Sequence, residues 1–129
     1  MILVDSSIWI DVLRKRPTEE VERLREYSRK ALLATPDLVI AEVLQGAMSD
    51  RQFVAYQQQL LAFPVIIVSD YRIAVSAARY YRQLRALGIT VRGTIDCLLA
   101  TRCIADGHSL LARDRDFLPF AHHFGLKLA

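Results

Sequence analysis

The chain has 129 residues, of which 53% are hydrophobic and 24% charged, and glycine and proline together number nine (5 + 4). This composition excludes a disordered or collagen-like chain and predicts one folded domain over residues 1–129. The formal net charge is +3, and fourteen of the seventeen basic residues are arginine, whose planar guanidinium suits phosphate. This excess of positive charge is a weak indication of a nucleic-acid partner.

The cysteines and the N-terminal segment bear on the compartment. Cys97 and Cys103 lie six residues apart on one predicted helix, so they form neither a CxxC pair nor half of a zinc site, and we expect free thiols. The N-terminal segment lacks the pattern of a signal peptide, and no apolar run approaches the about 20 residues of a membrane-spanning helix. We therefore expect a cytoplasmic protein that does not associate with a membrane.

The first half of the chain predicts two short strands and four helices, from apolar runs and from apolar residues at helical intervals. In chain order these elements are a strand at 2–5, a helix from a capping Ser6 or Ser7 to Leu13, a helix after Pro17, a strand at 31–34 ended by Thr35 and Pro36, a helix at 37–45 closed by Gly46, and a helix at 51–62. The last of these helices is expected to bury Phe53, Tyr56, Leu60 and Leu61.

The second half predicts three strands and three helices. In chain order they are a strand at 65–68, a helix at 71–87 capped by Ser69 or Asp70 and ended by Gly88, a helix at 94–104 ended by Gly107, a strand at 110–112, a short helix at 117–123 and a strand at 126–128. The helix at 71–87 is expected to bury Ile73, Ala77, Tyr81 and Leu84. Strands that alternate with helices predict an α/β fold with a parallel sheet covered on both faces.

Four acidic residues fall where such a sheet would bring them together. Asp5 closes the first strand and Asp114 follows the strand at 110–112, and ligands bind beyond the carboxyl ends of parallel strands. Asp96 lies near a helix N-terminus, and Glu42 lies within an apolar helix, where a lone carboxylate is costly to bury. Grouped carboxylates resist ionisation unless a divalent cation is bound. An acidic Mg²⁺ or Mn²⁺ site is therefore predicted, whereas the three histidines lack zinc-ligand spacing.

Four short segments carry a resemblance to a known family. They are VDSSIWID at 4–11, EVLQG at 42–46, TIDCLLA at 94–100 and LLARDRDF at 110–117. In this order and at this spacing they resemble the successive acidic motifs of PIN-domain ribonucleases, above all the VapC-type toxins of bacterial and archaeal toxin–antitoxin pairs. The resemblance runs from residue 1 to about residue 128. One departure is Ala112, where many relatives have threonine.

The resemblance implies a PIN-like three-layer α/β/α sandwich with a central parallel sheet. It also implies Mg²⁺- or Mn²⁺-dependent endonucleolytic cleavage of RNA, in which one or two metals activate a water molecule. Asp5, Glu42, Asp96 and Asp114 correspond to the acidic metal-binding set, and Asp116 is a secondary member. Ser6 matches a small hydroxyl position that helps to orient the site.

Partners follow from the same resemblance. A VapC-type toxin is expected to form a homodimer, to be blocked by a small cognate VapB-type antitoxin, and to reach operator DNA only through that antitoxin. Trp9 is assigned to the core or to a partner contact, and Tyr27 to a partner contact. The arginines that flank the acidic motifs are candidates for binding RNA phosphates; they are Arg92, Arg113 and Arg115.

Other residues receive structural assignments, and two other function classes stay open. Asp11 is predicted to be a solvated helix residue, and His122 and His123 to lie on the surface. A phosphatase or receiver domain also places an aspartate after the first strand, but here Ser7 stands where the phosphatase needs an acid, and Lys127 is badly placed for a receiver. A non-catalytic binding module of the same fold is the remaining alternative, against which the intact acids argue.

Overall fold

A computed structural model describes residues 1–30 and 32–129. Its centre is a five-stranded sheet in the order β3-β2-β1-β4-β5. The strands are β1 (Ile2–Val4), β2 (Leu33–Pro36), β3 (Val65–Ile66), β4 (Ser109–Leu111) and β5 (Lys127–Leu128). Every neighbouring pair is parallel, which confirms the predicted parallel sheet. Leu3 and Val4 of β1, and Leu110 and Leu111 of β4, are fully buried because helices cover the sheet.

Seven helices within the described residues flank the sheet. They are α1 (Ser6–Leu13), α2 (Glu19–Arg29), α3 (Asp37–Leu44), α4 (Asp50–Leu60), α5 (Tyr71–Ala86), α6 (Thr94–Asp106) and α7 (Leu118–Phe124), and a 3₁₀ turn (Arg115–Phe117) precedes the last of them. Gly107 ends α6 in the left-handed conformation at φ 72°, as predicted. In the described parts of the chain, no helix combines the length and the apolar character that crossing a membrane requires.

The strands β2 and β3 differ from their predicted bounds. Thr35 and Pro36 do not break β2 but form its last two residues. The buried Thr35 hydroxyl donates to Leu60 O (2.9 Å), and Pro36 pairs with Ile66 at the end of the strand. β3 ends at Ile66 because the Val68 N–H donates to the Asp37 carboxylate (2.9 Å) instead of to a neighbouring strand. The predicted start of β2 at residue 31 lies outside the described residues.

Two helix boundaries also differ from prediction. The N-cap of α1 is Asp5, not Ser6 or Ser7, because its carboxylate accepts from the Ser7 N–H (3.2 Å). α3 ends without a left-handed glycine, since its C-cap is Gln45 in the ordinary helical region. The cap of α5 is Asp70, one of the two residues that were predicted.

The amphipathic helices bury less than their patterns predict. On α4, Leu60 is fully buried, but Phe53 is 41% and Leu61 50% exposed. α4 packs mainly against α3, so only part of its apolar stripe is covered. On α5, the buried residues Ile73, Ala77 and Leu84 were predicted, while Tyr81 is 36% exposed and was not correctly placed.

Trp9 belongs to the core. It is 3% exposed, and its ring packs against Phe63 at 5.9 Å between centroids. The core assignment is therefore confirmed, and the alternative of a surface contact with a partner is wrong for Trp9. Tyr27 is half-buried on α2.

Candidate metal centre

Two acids lie at the same edge of the sheet, beyond the carboxyl ends of β1 and β4. Asp5 follows β1 and Asp114 lies just beyond β4, and the parallel pairing of Val4 with Leu111 brings the two strand ends side by side. The Asp5 N–H donates to Leu111 O (2.9 Å). Neighbouring parallel strands thus place both carboxylates at the edge where α/β proteins bind ligands, as predicted.

The Asp5 carboxylate is buried, and hydrogen bonds hold one of its two oxygens. Its Oδ2 accepts from the Ser7 hydroxyl (2.6 Å) and from the Ser7 N–H (3.2 Å). Its Oδ1 is buried and has no hydrogen-bond partner. A buried oxygen left without a donor is costly, so this atom is suited to a positively charged ligand.

Asp96, Asp114 and Asp116 form the open side of the cluster. Each offers a carboxylate oxygen, and these oxygens lie within 4.8 Å of one another. Asp96 stands in the first turn of α6, where a Cβ on Gly93 would lie 3.4 Å from its Oδ2, so the glycine leaves room for the carboxylate. Asp114 accepts from the Asp116 N–H (2.9 Å), which folds the loop after β4 so that both acids face α6.

Glu42 completes the cluster from α3. Its side chain is half-buried, and its Oε1 is buried without a hydrogen-bond partner among the described residues. The negative charge of nearby Asp5 contributes to raising the pKa of Glu42. The Ser6 side chain lies beside Glu42 and opposes the rise of its pKa. The structure thus places the five acids in one region: Asp96, Asp114 and Asp116 have oxygens within 4.8 Å of one another, and Asp5 and Glu42 lie near enough for their charges to raise the pKa of Asp96. Ser6 lies next to Glu42.

Burial and mutual repulsion make the cluster hard to ionise. Desolvation, followed by the charges of the four other acids, raises the pKa of Asp96 to about 7. Burial also raises the pKa of Asp5 against the opposing hydrogen bonds from Ser7, and burial followed by the charge of Asp5 raises the pKa of Glu42. Upward pKa shifts of this kind are expected where like charges lie close together without a counter-ion.

In the part of the chain that the structure describes, these acids lack a basic ion-pair partner. Among the ion pairs found in residues 1–30 and 32–129, none joins an arginine, lysine or histidine to any of the five acids. Arg92 and Arg115 are exposed, as are His122 and His123. The residues present therefore fit a divalent cation, because an all-oxygen carboxylate set with two unpartnered oxygens is what Mg²⁺ or Mn²⁺ binds.

Two residues near the cluster were not identified from the sequence. Ser7, rather than Ser6, donates to Asp5. Asp11 is not solvated: it is 1% exposed and pairs with Arg113, whose Nε lies 3.0 Å from its Oδ2. One sequence signal pointed to the burial of Asp11, since it follows the apolar Ile8 by three residues on the same helix face.

Comparison with known proteins agrees with this geometry. The PIN domain family model matches residues 2–122. VapC ribonuclease Mb1587 of Mycobacterium bovis is 33% identical to this chain over 132 residues, covering 100% of this chain and 98% of that protein. Ribonuclease VapC11 of Mycobacterium tuberculosis is similar to the same extent, at 33% identity and the same coverage.

Solved structures show the same fold at lower identity. VapBC2 from Rickettsia felis, bound to a DNA fragment from its promoter, has a TM-score of 0.79 at 19% identity and covers 100% of this chain and 98% of its own. VapBC-1 from nontypeable Haemophilus influenzae has a TM-score of 0.77 at 18% identity, covering 100% and 97%. With a family model over nearly its whole length and relatives that match it from end to end, the chain belongs to the PIN-domain family.

Proposed function

We propose that this chain is an endoribonuclease of the VapC type, the toxin of a type II toxin–antitoxin pair, which hydrolyses phosphodiester bonds in RNA. The observation that carries the proposal is the group of Asp96, Asp114 and Asp116 at the carboxyl edge of the sheet. Asp5 and Glu42 lie near enough to raise the pKa of Asp96, and none of the five acids has a basic ion-pair partner within the described residues. This cluster occurs in a chain that is 33% identical, over its full length, to proteins named VapC ribonucleases.

The proposed cofactor is Mg²⁺ or Mn²⁺, held by Asp5, Glu42, Asp96 and Asp114, with Asp116 as a further ligand. When bound, such a cation supplies positive charge to the phosphate oxygens and lowers the pKa of water. The protein contributes the orientation of the carboxylates. Because the pKa of Asp96 is about 7 without a cation, one of its oxygens holds a proton in part of the molecules near neutral pH, and this proton must leave for the oxygen to act as a ligand.

The residues proposed to hold the RNA lie around the acids. Arg92, just before α6, and Arg115, between Asp114 and Asp116, are exposed and carry no ion pair in the described part of the chain, so their guanidinium groups are available to phosphates. Ser6 is proposed to keep Glu42 oriented. Arg113 was assigned to RNA with them on sequence grounds, although its side chain is paired with Asp11.

The proposed partners come from the relatives. The similar solved structures are VapBC and FitAB assemblies, and some of them contain DNA. We therefore propose a cognate VapB-type antitoxin that blocks the acidic site, a homodimer as the working unit, and contact with operator DNA only through the antitoxin. An RNA substrate implies action in the cytoplasm.

Cleavage of total cellular RNA tests the proposal. Antitoxin-free protein with Mg²⁺ or Mn²⁺ is expected to yield discrete fragments, whereas EDTA or Asp96→Asn abolishes them. The matched control is Asp50→Asn, which removes an exposed acid at the start of α4 and should cleave as the wild type does. Fragments that persist in Asp96→Asn or in EDTA would contradict the proposal. A folded, Mn²⁺-binding protein that cuts no RNA would favour the non-catalytic module.

A further inference from the structure

Asp11 is a buried acid outside the metal cluster, and its partner comes from a distant part of the chain. Its carboxylate is 1% exposed. Arg113, 102 residues later, donates from Nη2 to Oδ1 (3.2 Å) and places Nε 3.0 Å from Oδ2. Arg16 is a more distant neighbour, with Nη1 3.8 Å from Oδ1. The pair with Arg113 therefore ties the interior of α1 to the loop that follows β4.

The same loop is fastened to α1 at a second point. The backbone N–H of Arg113 donates to the Ser7 hydroxyl (3.4 Å), which itself donates to Asp5 Oδ2 (2.6 Å). Ser7 and Asp11 are four residues apart, on one face of α1. The next residue along the loop is Asp114, which caps the turn that carries Asp116. Arg113 is thus held by its side chain and by its backbone, directly beside Asp114.

The direction of the Arg113 side chain determines which carboxylate its positive charge neutralises. An arginine next to five carboxylates would be expected to neutralise one of them. Instead its guanidinium is drawn to Asp11, which is buried and costly to leave unpaired. Within the described residues, the ion pair of Arg113 is therefore made with Asp11, and the carboxylates of the cluster stay available to a cation.

We propose that Asp11 and Arg113 form a positioning pair, which holds the loop after β4 so that Asp114 stays at the cluster and Ser7 stays directed at Asp5. Neither residue touches the reacting atoms. Arg113 accordingly acts through the loop and not as a contact to RNA phosphate. Only the kinetic consequences of this role rest on the proposed ribonuclease function, since cation binding is a separate measurement.

Titration calorimetry with Mn²⁺ on the antitoxin-free chain tests the positioning role without any RNA. Asp11→Asn and Arg113→Gln are each expected to weaken Mn²⁺ binding about tenfold, the loss typical when a residue that supports metal ligands is removed. The double variant should bind Mn²⁺ about as weakly as either single variant, because both remove the same interaction. Arg16→Gln is the matched control: it loses the longer contact with Asp11, leaves the loop intact and should bind Mn²⁺ like the wild type.

Kinetics separate positioning from phosphate binding. Both single variants are expected to lower kcat for RNA with little change in KM, and Arg113→Lys should recover part of the loss because it restores the charge. A contact to phosphate would behave differently. Arg113→Gln would then raise KM and weaken the dependence of binding on salt, while Asp11→Asn would leave Mn²⁺ affinity unchanged, and this result would overturn the proposal.

A purely structural pair gives a third pattern. Both variants would lower the melting temperature but bind Mn²⁺ as tightly as the wild type, and that outcome also overturns the proposal. If a single variant fails to fold, the double variant carries the test, because it removes the pair without leaving the buried Asp11 charge unpaired. If the wild type cuts no RNA while the Mn²⁺ affinities fall as expected, the ribonuclease function fails and the positioning role stands.

Discussion

At the scale of single residues, the five acids differ in how strongly the fold opposes their ionisation. Asp96 is affected most clearly, since burial and the charges of Asp5, Glu42, Asp114 and Asp116 all raise its pKa. Asp114 and Asp116 lie in the loop after β4, where Asp114 is exposed to water. Burial is the largest cause of the raised pKa at Asp5, Glu42 and Asp96.

The pH dependence of folding stability should reveal the raised pKa of Asp96. Its pKa is about 7 in the folded, metal-free protein and near its ordinary value of 3.8 when unfolded, so the folded state binds more protons between these values. Stability therefore falls as pH rises through that window. We expect the melting temperature in EDTA to fall from about pH 4 to about pH 7, and to fall less in Asp96→Asn.

Differential scanning calorimetry of both proteins checks this expectation. Asp50→Asn serves as the control, because Asp50 is exposed at the start of α4 and away from the cluster, so its pH profile should follow the wild type. Equal slopes for the wild type and Asp96→Asn would show that Asp96 ionises normally in the folded chain.

At the scale of elements, the end of α1 departs from the residue preference of its own geometry. The Lys15 N–H donates to Val12 O (3.0 Å) and the Arg16 N–H donates to Asp11 O (2.8 Å), which is the Schellman arrangement. The residue in the left-handed position is Lys15 at φ 57°, where glycine is usual. A lysine there carries backbone strain, since its Cβ crowds the following carbonyl.

Replacing that lysine should stabilise the protein. Lys15→Gly is expected to raise the free energy of unfolding by about 0.5–1 kcal/mol, because the relief of strain exceeds the extra entropy that glycine gains when unfolded. Urea denaturation measures the change. Lys30→Gly is the comparison, because Lys30 caps α2 at φ −91° and gains nothing from glycine. A loss of stability in Lys15→Gly would mean that the left-handed turn is not strained in solution.

The helices show which local predictions succeed. The caps at Asp70 and Gly107 were identified because a cap is made by neighbouring residues along the chain. The burial of Phe53 and Leu61 was predicted wrongly, because exposure depends on how far α3 covers α4, and no local pattern encodes that.

At the scale of the whole molecule, the acidic site exists only when the sheet has formed. β1 and β4 are neighbours in the sheet although they lie at opposite ends of the chain, and Asp5 and Asp114 meet through that pairing. The unfolded chain holds the five acids far apart and has no cluster to offer a cation. Cation binding should therefore be linked to global folding.

This linkage predicts stabilisation by Mn²⁺. With free Mn²⁺ at about 100 times its Kd, the free energy of unfolding should rise by about 2.7 kcal/mol. Urea denaturation with and without the ion measures the gain, and Asp96→Asn should show less of it at the same Mn²⁺ concentration. A gain of equal size in Asp96→Asn would place the stabilising ion somewhere other than the acidic cluster.

The sequence by itself determined the α/β class, the parallel sheet and four acids of the candidate site, Asp5, Glu42, Asp96 and Asp114, whereas Asp116 came from the resemblance to PIN-domain ribonucleases. This was possible because strand, helix and cap patterns are local, and because acids at strand ends and in an apolar helix are anomalous wherever they occur. Only the tertiary structure decided the strand order, the hydrogen bond from Ser7 to Asp5, and the burial of Asp11 against Arg113. The physical reason is distance along the chain: Asp11 and Arg113 are 102 residues apart, and their pairing depends on how α1 and the loop after β4 pack around a sheet that neither segment encodes alone.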